Sequence, residues 1–380
     1  MSTEYKPHPE DALSHVEEPA TVYPVNPPTK SLDLLGWARS NLFGSIPNTI
    51  LTLVALFLLV ETLPPLINWA FISSVWSSAT PDACRADGVG ACWAVVQNKY
   101  RFILFGLYPY EEQWRPVVST LLYIFAVAVS CNPRFWSRRL LVVWAVVVFG
   151  SGILMWGGIL GLPYVENEKW GGLPLTLMLS VLGIALAFPL GILAALGRRS
   201  DLPVIRSVSV VYIELVRGVP LISVLFMASV MIPLFLPEGV TINKLLRAFI
   251  GIVLFTGAYI AEAVRGGLQA LPRGQYEAAD ALGLGYWQKT RLIILPQAIR
   301  LVIPPLVNQF ISMFKDTSLV FIVGLFDLLN TVKTALTDPL WRPYYVEAYV
   351  FTALIYFLFC YFMARYSQYL ERHLNTGVRR

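Results

Sequence analysis

The sequence predicts an all-α, polytopic membrane protein with about eight transmembrane helices. Two observations carry this prediction and a third excludes the rival. Of the 380 residues, 56% are hydrophobic and only 14% are charged, where an ordinary soluble domain is about 25% charged. Stretches long enough to cross a bilayer, which takes about 20 mainly apolar residues, recur at about 48–68, 115–131, 139–161, 173–197, 208–235, 245–265, 298–325 and 345–366. A membrane β-barrel would instead show short strands of alternating polarity, which is not the pattern of this chain.

Residues 1–30 contain six prolines (Pro7, Pro9, Pro19, Pro24, Pro27 and Pro28) together with Glu10, Asp11, Glu17 and Glu18. This composition predicts a disordered tail over 1–46 and not a cleaved signal. Arginine and lysine then set the orientation, because cytoplasmic loops carry the excess. One set of loops holds Arg134, Arg138 and Arg139, then Arg198, Arg199 and Arg206, then Arg265, Arg273, Lys289, Arg291 and Arg300, and finally Arg372, Arg379 and Arg380. The other set holds fewer, chiefly Arg85, Lys99, Arg101, Lys169, Lys244, Lys333 and Arg342. Eight spans with the first set inside put both termini in the cytoplasm. This topology accounts for the net charge of +5, and no nucleic-acid partner is implied.

The segment at about 69–114 is then an outer, periplasmic loop. It contains Cys84 and Cys92, whereas Cys131 and Cys360 fall in or at the end of spans. In an oxidising compartment a Cys84–Cys92 disulfide and two free thiols are both open readings. A metal site is not expected, since the histidines are His8, His15 and His373, none of them near these cysteines.

Texture changes near Trp170. Residues 47–170 form a three-span extension without a motif, in which Gly157–Gly158 can kink the third span. Residues 171–370 form a five-span core whose helices are interrupted by glycine and proline, a pattern tolerated in lipid where neighbours or a wet cavity satisfy the backbone. A tail over 371–380 follows. Within the core, Gly197-Arg-Arg-Ser-Asp-Leu-Pro203 ends one span. In Tyr212-Ile-Glu-Leu-Val-Arg-Gly-Val-Pro220 the spacing lets Glu214 pair with Arg217 at i, i+3, and Glu262 repeats this with Arg265. Such pairs serve equally as interfacial anchors.

A polar, glycine-bearing insert at 266–300 separates two spans. Pro272 and Gly274 break the preceding helix, and Gln275 to Leu282 predict a short helix with Glu277 near its start, where the helix dipole favours a carboxylate. Ala278 and Ala279 are small enough for close approach of another surface, and Gly283 and Gly285 can end the helix. Taken alone, this is a surface amphipathic helix. Further on, Asn308-Gln-Phe-Ile-Ser-Met-Phe-Lys-Asp-Thr-Ser318 places Lys315 and Asp316 inside a span, where a lone charge costs roughly 3 kcal/mol. Lys315, Asp316, Thr317 and Ser318 therefore either line a translocation path or gate, or hold the bundle together by ion pairing.

Glu277, Ala278, Ala279, Gly283, Ile293, Leu295 and Pro296 fit the EAA pattern of ABC-importer permeases over twenty residues. The phrases ELVRGVPL, GxxxxPRGQYEAADALGL and LPQAIRLVIPPLVNQFISMFKDTSL resemble the polar amino-acid (histidine/glutamine) subfamily, over about Gly171 to Arg365. With its three-span extension the chain looks like the general L-amino-acid permease subunits of Gram-negative bacteria. The resemblance implies a type I importer of the bacterial inner membrane, moving polar or broad-range L-amino acids from periplasm to cytoplasm. It also implies the partners: a homologous permease as heterodimer, two ATPase subunits that hold ATP and Mg, and a periplasmic amino-acid-binding protein. Glu277, Ala278 and Ala279 would contact the ATPase, and Gly283 would set the bend. This chain lacks GxxxxGK[ST], so neither a catalytic residue nor a cofactor or metal of its own is expected. Two other classes compete: an ATP-independent secondary transporter using Lys315, Asp316 and Glu262 for ion coupling, and an intramembrane enzyme or scaffold, disfavoured by the absence of an intramembrane histidine.

Overall fold

The computed structural model describes residues 34–237, 239 and 241–374. Most of the tail expected over 1–46, with His8 and His15, lies outside the described residues, as do 375–380 with Arg379 and Arg380. The chain divides into two compact units, 1–68 and 69–380. In the first, α1 (Leu34–Leu42) shows that the expected disorder does not extend to residue 46, since Leu35 and Trp37 sit on an exposed helix. Helix α2 (Ile46–Ile67) starts where the Ser45 hydroxyl accepts from the Asn48 N–H at 3.4 Å. Pro64 and Pro65 lie near its end, and the span continues as a π-helical turn over Asn68–Ile72.

The second unit opens with the segment expected to be a loop, and the structure folds it. Cys84 and Cys92 are joined as a disulfide with Cα atoms 5.7 Å apart. Helix α3 (Ala94–Phe105) follows and ends at Gly106, whose φ of +62° favours glycine. Within its sequence AVVQNKYRFILF, Ala94, Val95 and Ile103 are buried. Helices α4 (Trp114–Ser130) and α5 (Arg138–Trp156) form an antiparallel pair. The third span expected at 139–161 stops at Trp156, because Gly157 (φ +67°) turns the chain back: a Cβ there would lie 2.2 Å from the Pro163 carbonyl oxygen. At 17 residues, α4 is at the short limit for a span.

The core begins with α6 (Gly172–Arg198), α7 (Pro203–Arg217), α8 (Leu221–Leu234) and α9 (Lys244–Ala270). The single span expected at 208–235 is instead a bent pair: α7 and α8 meet at 106°. Gly218 closes α7, and Pro220, which lacks an N–H and pushes Val219 towards extended backbone, prevents continuation. Helices α6 and α9 run parallel and pack through small residues. At Gly191 a Cβ would come within 2.5 Å of Ile260, and at Gly183 within 3.4 Å of Ile252. Helix α8 packs antiparallel on α9, with Leu225 and Ala228 against Gly251.

The remaining helices are α10 (Arg273–Ala281), α11 (Tyr286–Lys289), α12 (Leu295–Leu301), α13 (Ile303–Asp316), α14 (Leu328–Ala335) and α15 (Tyr345–Leu374). The span expected at 298–325 is thus segmented: α12, then α13, then a 3-10 stretch over Thr317–Val323 that ends at Gly324 with φ +77°. Six helices among the described residues are long and apolar enough to cross a membrane, or seven if the bent pair is one span. The expected eighth is the short α4. Phe326 and Asp327 bridge to Gly171 and Gly172 at the start of α6, so α14 and α3 stand at one end of α6 and α10 at the other.

Candidate functional site

The site grows from the end of α9. Leu271 is extended and Pro272 opens α10, as the missing proline N–H allows at a helix start. The helix closes with a pair of bonds characteristic of the Schellman motif. The Leu284 N–H donates to the Ala279 carbonyl at 3.2 Å, and the Gly283 N–H donates to the Asp280 carbonyl at 2.9 Å. Gly283 has φ +70° and open space where a Cβ would sit, so backbone conformation alone, not packing, calls for glycine.

Burial divides the motif. Glu277 and Ala278 are exposed, as are Leu282, Tyr286 and Trp287 just beyond. Ala279 is 1% exposed. It packs beneath the helix against the chain itself, so the outward surface is carried by Glu277 and Ala278. This revises the expectation that all three residues face a partner: on a helix of 3.6 residues per turn, three consecutive positions cannot share one face.

Polar ties bind α10 to four neighbouring segments. Arg199 Nη1, just past α6, donates to the Leu268 carbonyl at 2.9 Å and to the Tyr276 hydroxyl at 3.1 Å, and its guanidinium stands over the Tyr276 ring. The Tyr276 hydroxyl donates to the same Leu268 carbonyl of α9 at 3.1 Å. Lys289 of α11 meets Asp280 at 2.5 Å, and Gln297 of α12 donates to Gln275 at 3.0 Å. Between α11 and α12, Thr290–Ile294 form a π-helical turn in which the Leu295 N–H reaches the Thr290 carbonyl, so Pro296 follows without breaking the path. Gly267 permits α9 to touch α12, since a Cβ would lie 2.6 Å from the Ala298 carbonyl oxygen. The sequence reading missed Arg199, Tyr276, Gln275 and Gln297, because each acts across more than a helical turn of chain.

A layer of charge lies one turn away. Arg265 Nε donates to Glu262 at 2.9 Å, as the i, i+3 spacing predicts. Glu214 and Arg217 do not make the pair expected of them. Glu214 meets Arg198 at 2.7 Å, and Arg217 meets Glu262 at 3.6 Å with its guanidinium over the Tyr259 ring. Arg198 also lies 3.7 Å from Glu262. Arg217 thus reaches across to α9, and tertiary placement overrides local spacing. Glu262 becomes the shared carboxylate of three arginines that join α6, α7 and α9.

The expected Lys315–Ser318 group is dispersed. Lys315 is exposed, Asp316 is half-buried, and no ion pair joins them, as adjacent residues on a helix diverge. Thr317 is buried and its hydroxyl donates to the Phe314 carbonyl at 2.8 Å. Ser318 lines a cavity of about 140 Å³ with Asn330, Lys333 and Tyr349. Among the described residues no cluster of His, Cys, Asp or Glu is arranged to hold a metal.

Comparison with known proteins decides the family. The profile described as binding-protein-dependent transport system inner membrane component matches residues 187–376. The chain is 49% identical over 371 residues to the inner membrane amino-acid ABC transporter permease protein YhdY of Escherichia coli (strain K12), covering 96% of this chain and 98% of that protein. The chain belongs to this family. As a permease subunit of an ABC transporter, it is a multi-pass inner membrane protein. The permease is also 39% identical to the glutamate/glutamine/aspartate/asparagine transport system permease protein BztC of Rhodobacter capsulatus, over 93% of this chain and 96% of that one. Against the glutamate/aspartate import permease protein GltK of Escherichia coli O6:H1 it is 32% identical over 57% of this chain, yet 96% of that protein. Relatives thus come in two lengths, and the shorter corresponds to just over half of this permease. An ATP-independent transporter finds no support in these likenesses, and the charges offered for ion coupling are dispersed or, for Glu262, held by arginines.

Proposed function

We propose that this permease moves L-amino acids, polar or of broad range, from periplasm to cytoplasm, with α10 as the element through which ATP hydrolysis on other subunits acts. The observation that carries this reading is the geometry of α10. It is a short helix with Glu277 and Ala278 outward, closed by Gly283 and tied through Arg199, Lys289 and Gln297 to the helices on either side. A push on that outward face would move α6, α9 and α12 together. The substrate class follows from what the relatives transport by name.

In this reading the α10 end is cytoplasmic, which agrees with the arginine-rich loops gathered there. The partners are a homologous permease, two ATPase subunits carrying ATP and Mg, and a periplasmic binding protein that delivers the amino acid at the α14 end. Lys315 stands exposed on a span, where a lone charge in lipid is costly. It therefore faces the partner permease or the solute path, with Asp316 and Ser318 nearby. Residues 69–170 act as an extension bracing the core of 171–370.

The test is uptake of radiolabelled amino acids by the complex reconstituted in liposomes with ATP inside. Glu277→Arg is expected to abolish ATP-driven uptake and to release the ATPase, while the permease still inserts and elutes as a single species. Wild-type uptake with the ATPase still bound would overturn the role given to α10.

A further inference from the structure

A second site lies in the seam between extension and core. Helix α5 packs on α4, α4 on α6 and α6 on α9. Where this series leaves α5 and α9 apart, a cavity of about 460 Å³ remains. Its wall is apolar for most of its length: Val148 and Gly152 of α5, Leu182 of α6, and Leu246 and Phe249 of α9. Leu246 is half exposed, so the cavity opens sideways towards the hydrocarbon.

Apart from the Tyr123 hydroxyl deeper in the slot, polarity is gathered at one end. There Asn167 and Asn243 line the cavity beside Trp156. The Asn167 side-chain oxygen accepts from Trp156 Nε1, and the Asn243 oxygen accepts from the Leu245 N–H at 2.8 Å. Both amides therefore keep an NH2 group as donor. The next residue in the chain after each asparagine is charged, and Lys244 meets Glu168 at 3.0 Å. This polar end coincides with the end of α5 and the starts of α6 and α9, the level of the membrane interface, where tryptophan is at home. From it, Leu182 lies ten residues into α6, about 15 Å of helix. That is half of the roughly 30 Å hydrocarbon thickness. The slot is one leaflet deep.

We propose that the slot is a binding site for one glycerophospholipid, with an acyl chain along Gly152, Leu182 and Phe249 and the phosphate at the two asparagine NH2 groups, where Lys244 would exchange Glu168 for it. A dry cavity open to lipid loses dispersion contacts along its whole lining, and an acyl chain restores them. A free phosphate would satisfy the polar end and leave the apolar length empty. The lipid is then a built part of the joint between extension and core.

The test uses the intact complex, extracted from membranes in mild detergent and washed until annular lipid is gone. Tightly held phospholipid is read by native mass spectrometry. A diazirine-bearing phospholipid, photoactivated before extraction, is mapped by peptide. Wild type is expected to retain phospholipid and to be labelled on the peptide containing Val148 and Gly152. Leu182→Trp, which fills the slot, should lower retention and that label by about tenfold, and Lys244→Glu should lower retention while leaving the slot open. Gly152→Phe, a filler on a different helix, gives the same reading should the first variant fail to fold. Equal retention and labelling in wild type and a well-folded filler would overturn the proposal, as would retention of detergent with no phospholipid, an adventitious additive only.

Discussion

The two ends of α6 are built on opposite principles. At its start, α3 and α14 meet over a buried apolar face formed by Ile103, Leu328, Val332 and Ala335, with Trp341 and Ala348 behind. Two polar groups there are enclosed and matched. The Thr331 hydroxyl donates to the Ile103 carbonyl at 2.7 Å, and the Cys92 N–H donates to the buried Glu347 carboxylate at 2.7 Å. At its far end, α10 buries little and is held by exposed or half-exposed polar ties such as Asp280–Lys289. Dispersion in a packed face is lost at once when parts separate, whereas exposed ion pairs contribute at most about 1 kcal/mol each and re-form readily in water. The extension end is thus held by packing, and the α10 end by polar ties that can part and re-form.

The largest effect should come from cutting into the fixed end. Ile103→Ala removes a fully buried side chain and should cost about 2–5 kcal/mol, seen as an early thermal transition in detergent. A loss below 1 kcal/mol would mean that α3 is only a surface cover.

A second effect is in pH. Asp327 is fully buried at the start of α14, and burial raises its carboxyl to about 6, against the lowering effect of the Leu329 and Asn330 N–H groups it accepts. A carboxyl raised in the folded state holds its proton more tightly there than when unfolded. Its contribution to stability is therefore full below about pH 4 and lost as pH rises through about 6, an effect of about 3 kcal/mol. Asp327→Asn keeps the helix cap and should flatten this step in melting temperature between pH 4 and 6. An unchanged step would assign it to another group, Asp338 excluded, since its bond from Lys99 holds that carboxyl below the ordinary range.

The smallest effect tests the movable end. Gly283→Ala forces a β-carbon into left-handed backbone and should cost roughly 1–2 kcal/mol, confined to α10. Amide exchange should rise over 273–284 while the melting temperature holds. A rise spreading to α3 and α14 would erase the distinction between the ends.

Much of this was legible residue by residue. Span-length apolar runs announce α2, α5, α6, α9 and α15, because a helix that crosses lipid satisfies its own backbone and needs no partner to be inferred. Gly283 and the Glu262–Arg265 pair were legible for the same reason, each being settled within one or two turns of chain. The bend at Gly218–Pro220 was visible as residues but not as an angle of 106°. The helix α3 was hidden inside a presumed loop, since it is short and its partner α14 lies more than 220 residues away. Glu214 and Arg217 show the same limit: correct spacing predicts a pair only if nothing better placed competes.

By itself, then, the sequence determined that this protein lives in a membrane, where its helices run, and that a short capped helix interrupts them at 273–281. These are matters of hydrophobicity and local backbone energetics, which act over a few residues. Only the tertiary structure decided which faces of that helix look outward, which arginines share Glu262, that the segment at 69–114 is welded to α14, and that a leaflet-deep slot remains between extension and core. Those outcomes depend on contacts between residues far apart in the chain, and one chain's pattern of polarity does not encode which of its apolar faces will meet.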